Sequence, residues 1–203
     1  MSVLNQINNS SLLEEKNIVP EPSELRISTM TAVCNINSDI NLEVISKYLP
    51  IDDNITYIEY ANNPIRGKKE KSISEKKANK KRIFFNQITI IVKNKGYFSN
   101  IKLFNNGSMS MTGLKNPDVG KQSISLLLDK LQYTKGLING EEKFAIENQK
   151  CKFKDFDIVL INSDFYAGFE IKRNELHQLL ISNYNIFSSY EPCIYPGVNS
   201  KYY

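Results

Sequence analysis

The feature that most constrains this chain is an internal repetition of secondary-structure pattern. Residues 25–36 (LRISTMTAVCNI) alternate and are rich in β-branched side chains, which predicts a strand. Ser38 and Asp39 can cap a short helix over about 40–49, where Leu42, Ile45 and Leu49 share a face and Pro50 ends it. Strands are predicted at 55–60, 83–93, 99–104 and 108–112, and the last two are joined by Asn105-Asn106-Gly107, a tight-turn signal. Asn116 and Pro117 read as an N-cap and first-turn proline, opening a helix with Ile124, Leu127, Leu128 and Leu131 at helical spacing. A polar, Gly-containing connector is expected over 134–150. Residues 153–171 then alternate again as a long strand, 173–182 present Leu176, Leu179 and Leu180 on a short helix, and the chain ends in extended sequence. Strand, helix, four strands and a long helix, followed by strand and helix again, is one unit and the opening of a second copy.

Charge is distributed very unevenly. The 203 residues carry a formal net charge of +4, with 41% hydrophobic and 10% aromatic residues, enough to build a core and to exclude disorder for most of the chain. Between Arg66 and Arg82 lie nine basic residues (Arg66, Lys68, Lys69, Lys71, Lys76, Lys77, Lys80, Lys81 and Arg82) against two acids, Glu70 and Glu75. That segment is therefore +7 and the remainder −3. The run predicts a solvated insertion, either a clamp on a phosphate backbone or simply a hydrated loop. Residues 1–22, polar and Asn-rich, are expected to form a flexible arm, lacking the basic start and apolar stretch of a secretory signal.

Several chemistries find little support. No run approaches the ~18–20 apolar residues of a membrane-spanning helix, so no membrane partner is expected. Cys34, Cys151 and Cys193 form no Cys-x-x-Cys pair and, with His177 as the one histidine, assemble no standard zinc set; buried thiols in a reducing, intracellular compartment are the simpler reading. No cofactor or metal is expected. Asp157 and Asp164 before Glu170-Ile171-Lys172 form a short pattern similar to the Mg²⁺-binding core of restriction-type nucleases, an alternative that the same segment's other resemblance outweighs.

That other resemblance is carried by KFKDFDI (152–158), FEIKRNEL (169–176) and FSSYEPCIYPG (187–197), which resemble the opening of the second repeat of the TATA-box-binding protein (TBP) family. ISTMTAVC (27–34) and IKLFNNGSMSMTGLK (101–115) are similar to elements of that family's first repeat. The divergence, the insertion and the Asn- and Lys-rich composition resemble the versions carried by large DNA viruses. The resemblance implies an α+β fold: a saddle whose curved antiparallel sheet has helices on its convex face, built from two repeats, the second truncated here. The corresponding division is an arm (1–22), a first repeat (23–133, with a basic insertion at 62–83), a connector (134–152) and the first part of a second repeat (153–203).

The same resemblance implies a transcription initiation factor without enzymatic activity. It would bind double-stranded A·T-rich promoter DNA through the minor groove, bend it, and recruit general transcription factors, in the nucleus or a viral factory. Phe85 and Phe104 match the family's first-half wedges and Tyr195 one of the second half. Ile27 and Thr112 match sheet-face contacts, and Lys201 stands where the family has a phosphate-contacting Arg. Leu25 and Leu160 occupy the family's two central Asn positions and supply no hydrogen-bond donor. Ile91 replaces an Arg, and Asn162 replaces an apolar contact. Glu191 and Ile194 match the surface that docks transcription factor IIB-like partners and the RNA polymerase machinery, with Cys193 in place of an acid. A truncated sheet would expose an edge and an apolar face, so either a homodimer through that edge or a disordered tail is expected. The alternative is a protein-docking platform of the same fold with little DNA binding.

Overall fold

A computed structural model describes residues 20–69, 83–148 and 150–203. Most of the N-terminal arm lies outside the described residues, as do Lys71, Lys76, Lys77, Lys80, Lys81 and Arg82 of the basic insertion. The chain divides into two compact units, Leu25–Asp164 and the combination of Phe165–Tyr203 with the residues before Leu25.

The larger unit is an antiparallel sheet with two helices on one face. Its strands are β1 (Arg26–Asn35), β2 (Ile55–Glu59), β3 (Arg66–Gly67), β4 (Gln87–Asn94), β5 (Tyr97–Phe104), β6 (Ser108–Leu114) and, after a separate hairpin of β7 (Lys135–Ile138) and β8 (Glu141–Phe144), β9 (Lys154–Asp164). The seven-stranded sheet runs β3-β2-β4-β5-β6-β1-β9, so the first and last long strands are neighbours. Alternation decides which face is buried. Ile88, Ile90, Val92, Ile101, Leu103, Met109, Met111 and Ala32 point to one side and are essentially inaccessible. Helices α1 (Leu42–Tyr48) and α2 (Pro117–Leu131) bury Val44, Ile45, Ile124, Leu127 and Leu131 in the same core. Removing such side chains from water, at ~25 cal/mol per Å² of apolar area, is what holds the helices to the sheet.

Local chemistry sets the boundaries. Asn116 caps α2 by accepting from the Val119 N–H at 2.9 Å. The cap of α1 is Asn41, which accepts from Val44 N–H at 3.1 Å, rather than Ser38 or Asp39. The Ser38 hydroxyl instead accepts from the Asn148 N–H at 3.1 Å, and Ile40 is bridged to Ile146, so helix entry is delayed. Lys95-Gly96, both at positive φ (48° and 84°), close the β4–β5 hairpin, and Gly107 (φ 81°) closes β5–β6.

Three further sequence expectations change. The connector over 134–150 contains the β7–β8 hairpin, turned by Asn139-Gly140 at φ 54° and 86°. The Tyr48 hydroxyl of α1 donates to the Leu137 carbonyl at 2.9 Å, and Ala145 and Ile146 just beyond the hairpin are buried. The strand expected to start at 83 starts at Gln87, leaving Ile83, Phe84 and Phe85 ahead of it and exposed. The strand expected over 153–171 ends at Asp164, where Arg26 of β1 forms a two-pronged pair with the carboxylate at 3.0 and 3.2 Å.

In the smaller unit, α3 (Arg173–Ser182) precedes a ribbon of β10 (Phe187–Ser189) and β11 (Asn199–Lys201). Leu176 and Leu180 of α3 are half-buried and Leu179 is exposed. His177 Nδ1 lies 2.9 Å from the buried Ser188 hydroxyl, tying the helix to the ribbon. Among the described residues no helix is long and apolar enough to cross a membrane.

Candidate nucleic-acid interface

The sheet face opposite the helices is open, and pairing identifies its members. Across β4 and β5 it carries Gln87 opposite Phe104, Thr89 opposite Lys102, Ile91 opposite Asn100 and Lys93 opposite Phe98. Thr112 and Ser110 of β6 face Asn100 and Lys102, and Val33 of β1 faces Ser110. On the far flank, Thr31 pairs with Leu160, Thr29 with Asn162 and Ile27 with Ser163. Five of the residues marked out by sequence (Phe104, Thr112, Ile27, Leu160 and Asn162) therefore fall on one face. Leu25, just before β1, is 66% exposed.

Phe84 and Phe85 part company. Phe84 lines a cleft of about 390 Å³ on the open face, with Thr89, Asn100 and Lys102 in its floor and Lys69 at its rim. Phe85 lines a different hollow, beside the N-terminal end of α1 and the β7–β8 hairpin, and its carbonyl accepts from the Tyr60 hydroxyl at 3.0 Å. Sequence reasoning missed Phe84, Asn100 and Lys102. The signal was present in YFSNIKLF: the period of two that buries Ile101 and Leu103 turns Asn100, Lys102 and Phe104 to the other side.

This face mixes threonine, serine and asparagine with Ile27, Val33, Phe98, Phe104 and Leu160, and carries Lys93 and Lys102 as cations. Lys93 Nζ lies 5.3 Å from the centre of the Phe98 ring, and Lys69 Nζ 5.6 Å from that of Tyr57. Ile91, where the resemblance places an Arg, is buried. Burial, reinforced by a 2.9 Å hydrogen bond to Glu59, pushes the Tyr57 hydroxyl up to about 12, so it stays a neutral donor at physiological pH.

The remaining candidates lie in the smaller unit. The Ile194 and Tyr195 N–H groups both donate to the Glu191 carbonyl at 2.9 Å, folding 191–195 into a turn. The Tyr195 ring rests over Gly197, where an added Cβ would come within 2.8 Å of it. Glu191, Ile194 and Tyr195 line one hollow of about 200 Å³. Lys201 pairs with Phe187 in the ribbon. Among the described residues no three His, Cys, Asp or Glu side chains gather to hold a metal, and both oxygens of Asp164 are engaged by Arg26.

No family model matches the chain. The chain is 29% identical over 182 residues to a protein named TATA-box-binding protein-like from Acanthamoeba polyphaga mimivirus, a match covering 84% of this chain and 48% of that one. It thus spans about half the length of the curated relative it matches. Among solved structures, the TBP of Methanococcus jannaschii aligns with a TM-score of 0.49 and 15% identity, over 86% of this chain and 74% of that one. In sequence the chain is thus similar to a divergent viral TATA-box-binding protein-like protein.

Proposed function

We propose that this chain binds the minor groove of A·T-rich double-stranded DNA with the open sheet face and bends it, acting by contact and deformation rather than by catalysis. The observation that carries the reading is the gathering of Ile27, Phe104, Thr112, Leu160 and Asn162 on the sheet face opposite α1 and α2. An antiparallel sheet with one bare face of short and β-branched side chains is a broad surface, able to lie along a groove floor. A protruding aromatic such as Phe104 can unstack a base step at its margin. Within the smaller unit, Tyr195 and Lys201 would be DNA contacts of their own, with Lys201 and the 66–82 insertion meeting phosphate. Glu191 and Ile194 would offer a turn to a transcription factor IIB-like partner and the polymerase machinery, and the proposed site of action is the nucleus or a viral factory. A protein-docking platform is the second reading, favoured by Leu160 on the outermost strand β9, which offers a base edge no hydrogen bond.

A gel-shift and bending assay on A·T-rich and G·C-rich duplexes tests the proposal. Wild-type protein is expected to favour and bend the A·T-rich duplex, and Phe84→Ala with Phe104→Ala to abolish the bend, since Phe84 rather than Phe85 lies on the open face. Binding that ignores composition and survives the double substitution refutes it.

A further inference from the structure

Two Asn-Gly dipeptides occur in the sequence, Asn106-Gly107 and Asn139-Gly140, and the fold holds them very differently. In such a pair the glycine nitrogen can attack the preceding side-chain amide, because no Cβ obstructs its approach. In the β5–β6 turn that nitrogen is engaged. The N–H of the buried Gly107 donates to the Phe104 carbonyl at 3.0 Å, and Asn106 Oδ1 accepts from the Ser108 N–H at 3.1 Å. The turn joins two strands in the interior of the seven-stranded sheet, so releasing it means breaking the sheet.

The β7–β8 turn is not tied down in this way. Asn139 and Gly140 are exposed, and among the described residues neither the Asn139 side-chain amide nor the Gly140 N–H has a hydrogen-bond partner. Nothing lies within 4 Å of where a Gly140 Cβ would stand. The hairpin is a separate two-stranded sheet of four-residue strands, in which Ile138 alone is buried. A ribbon this short opens locally while the rest of the unit stays folded.

We propose that Asn139 is a self-modification site, at which the chain deamidates with water as the co-reactant. When the hairpin opens, the Gly140 nitrogen bonds to Asn139 Cγ. The Cγ–Nδ2 bond breaks, and Nδ2 leaves as ammonia, carrying the proton that Gly140 gave up. Water then opens the resulting succinimide, and nothing is oxidised or reduced. Cleavage between Cγ and the nitrogen leaves an aspartate at position 139. Cleavage between the main-chain carbonyl carbon and the nitrogen leaves an isoaspartate, whose main chain is longer by a methylene. Ile138 pairs with Glu141 across a two-residue turn, which has no room for that methylene, so isoaspartate unpairs β7 from β8. The Leu137 carbonyl then leaves the Tyr48 hydroxyl, which donates to it at 2.9 Å in the intact protein.

The test ages the full chain at body temperature and mildly alkaline pH, in native buffer and in concentrated urea. Tryptic peptides 103–115 and 136–143 are followed by mass spectrometry, and isoaspartate is counted with isoaspartyl methyltransferase. Each hydrogen bond that must be given up slows the attack roughly 2–10-fold, so Asn139 is expected to lead Asn106 by roughly 5–100-fold in native buffer. Urea is expected to bring the two rates together, and Asn139→Gln to remove the isoaspartate signal from peptide 136–143. The inference is overturned if Asn106 reacts as fast as Asn139 in the native protein, or if both react in urea and neither in native buffer. An equal lead for Asn139 in urea also overturns it, because the difference would then belong to the sequence and not to the fold.

Discussion

Gly96 and Gly107 form a matched pair that separates backbone strain from steric conflict. Both close β-hairpins at nearly the same positive φ, 84° and 81°. Around Gly96 nothing lies within 4 Å of where a Cβ would stand. At Gly107 that Cβ would be 2.6 Å from the Ser38 carbonyl oxygen and 3.1 Å from Ile36 Cγ1. Gly96→Ala thus costs only the left-handed conformation, about 1–2 kcal/mol. Gly107→Ala incurs the same cost plus the displacement of a backbone carbonyl, comparable to overpacking a core and worth about 1–3 kcal/mol more. The neighbouring hydrogen bond from Ile36 N–H to the Gly107 carbonyl, 3.1 Å, is exposed to the same disturbance. The chain has no tryptophan, so urea unfolding is best followed by far-UV circular dichroism. Equal losses of stability in the two variants, at equal m-values, would refute the assignment of a steric cost to Gly107.

Leu103→Ala, which empties a fully buried site under α2, is expected to cost about 2–5 kcal/mol, read from the same urea curves. Native protein should expose one thiol to a disulfide reagent near pH 8, that of Cys193, because Cys34 and Cys151 are buried and burial raises both their pKa values. Burial pushes the Cys34 thiol up to about 11, so the unfolded chain loses this proton first. Stability should fall as pH rises from about 9 to about 11, and Cys34→Ala should flatten that part of the profile. Deleting residues 70–82 removes six basic and two acidic residues, and should make the salt dependence of DNA binding shallower; an unchanged slope excludes a phosphate clamp.

Much of the larger unit could be read directly from residue pattern. Ile124, Leu127, Leu128 and Leu131 marked the buried stripe of α2, and Asn116 and Pro117 its start, because both signals are local. The β7–β8 hairpin went unread although Asn139-Gly140 announced it: its strands, KGLI and EEKF, are too short and polar to show a period. The end of β9 was equally hidden, since 153–171 alternates past Asp164 and only the partner strand, ending at Arg26, decides where pairing stops. At the site, the family resemblance, rather than the pattern of any single strand, singled out Phe104 and Thr112. The polar character of the face emerged only when β4, β5 and β6 were laid side by side, which a linear reading cannot do.

The placement of β1 between β6 and β9 also imposes a timetable. β1 leaves the ribosome well before both of its neighbours: β6 begins 82 residues after the start of β1 and β9 128 residues after it. At about 5–20 residues per second, β1 waits roughly 4–16 s for one partner and roughly 6–26 s for the other. Throughout that interval Met30, Ala32 and Cys34 are without the strands that enclose them. A nascent chain stalled before residue 154 carries a bare β1 edge. During synthesis, that edge is where a chaperone would have most to protect.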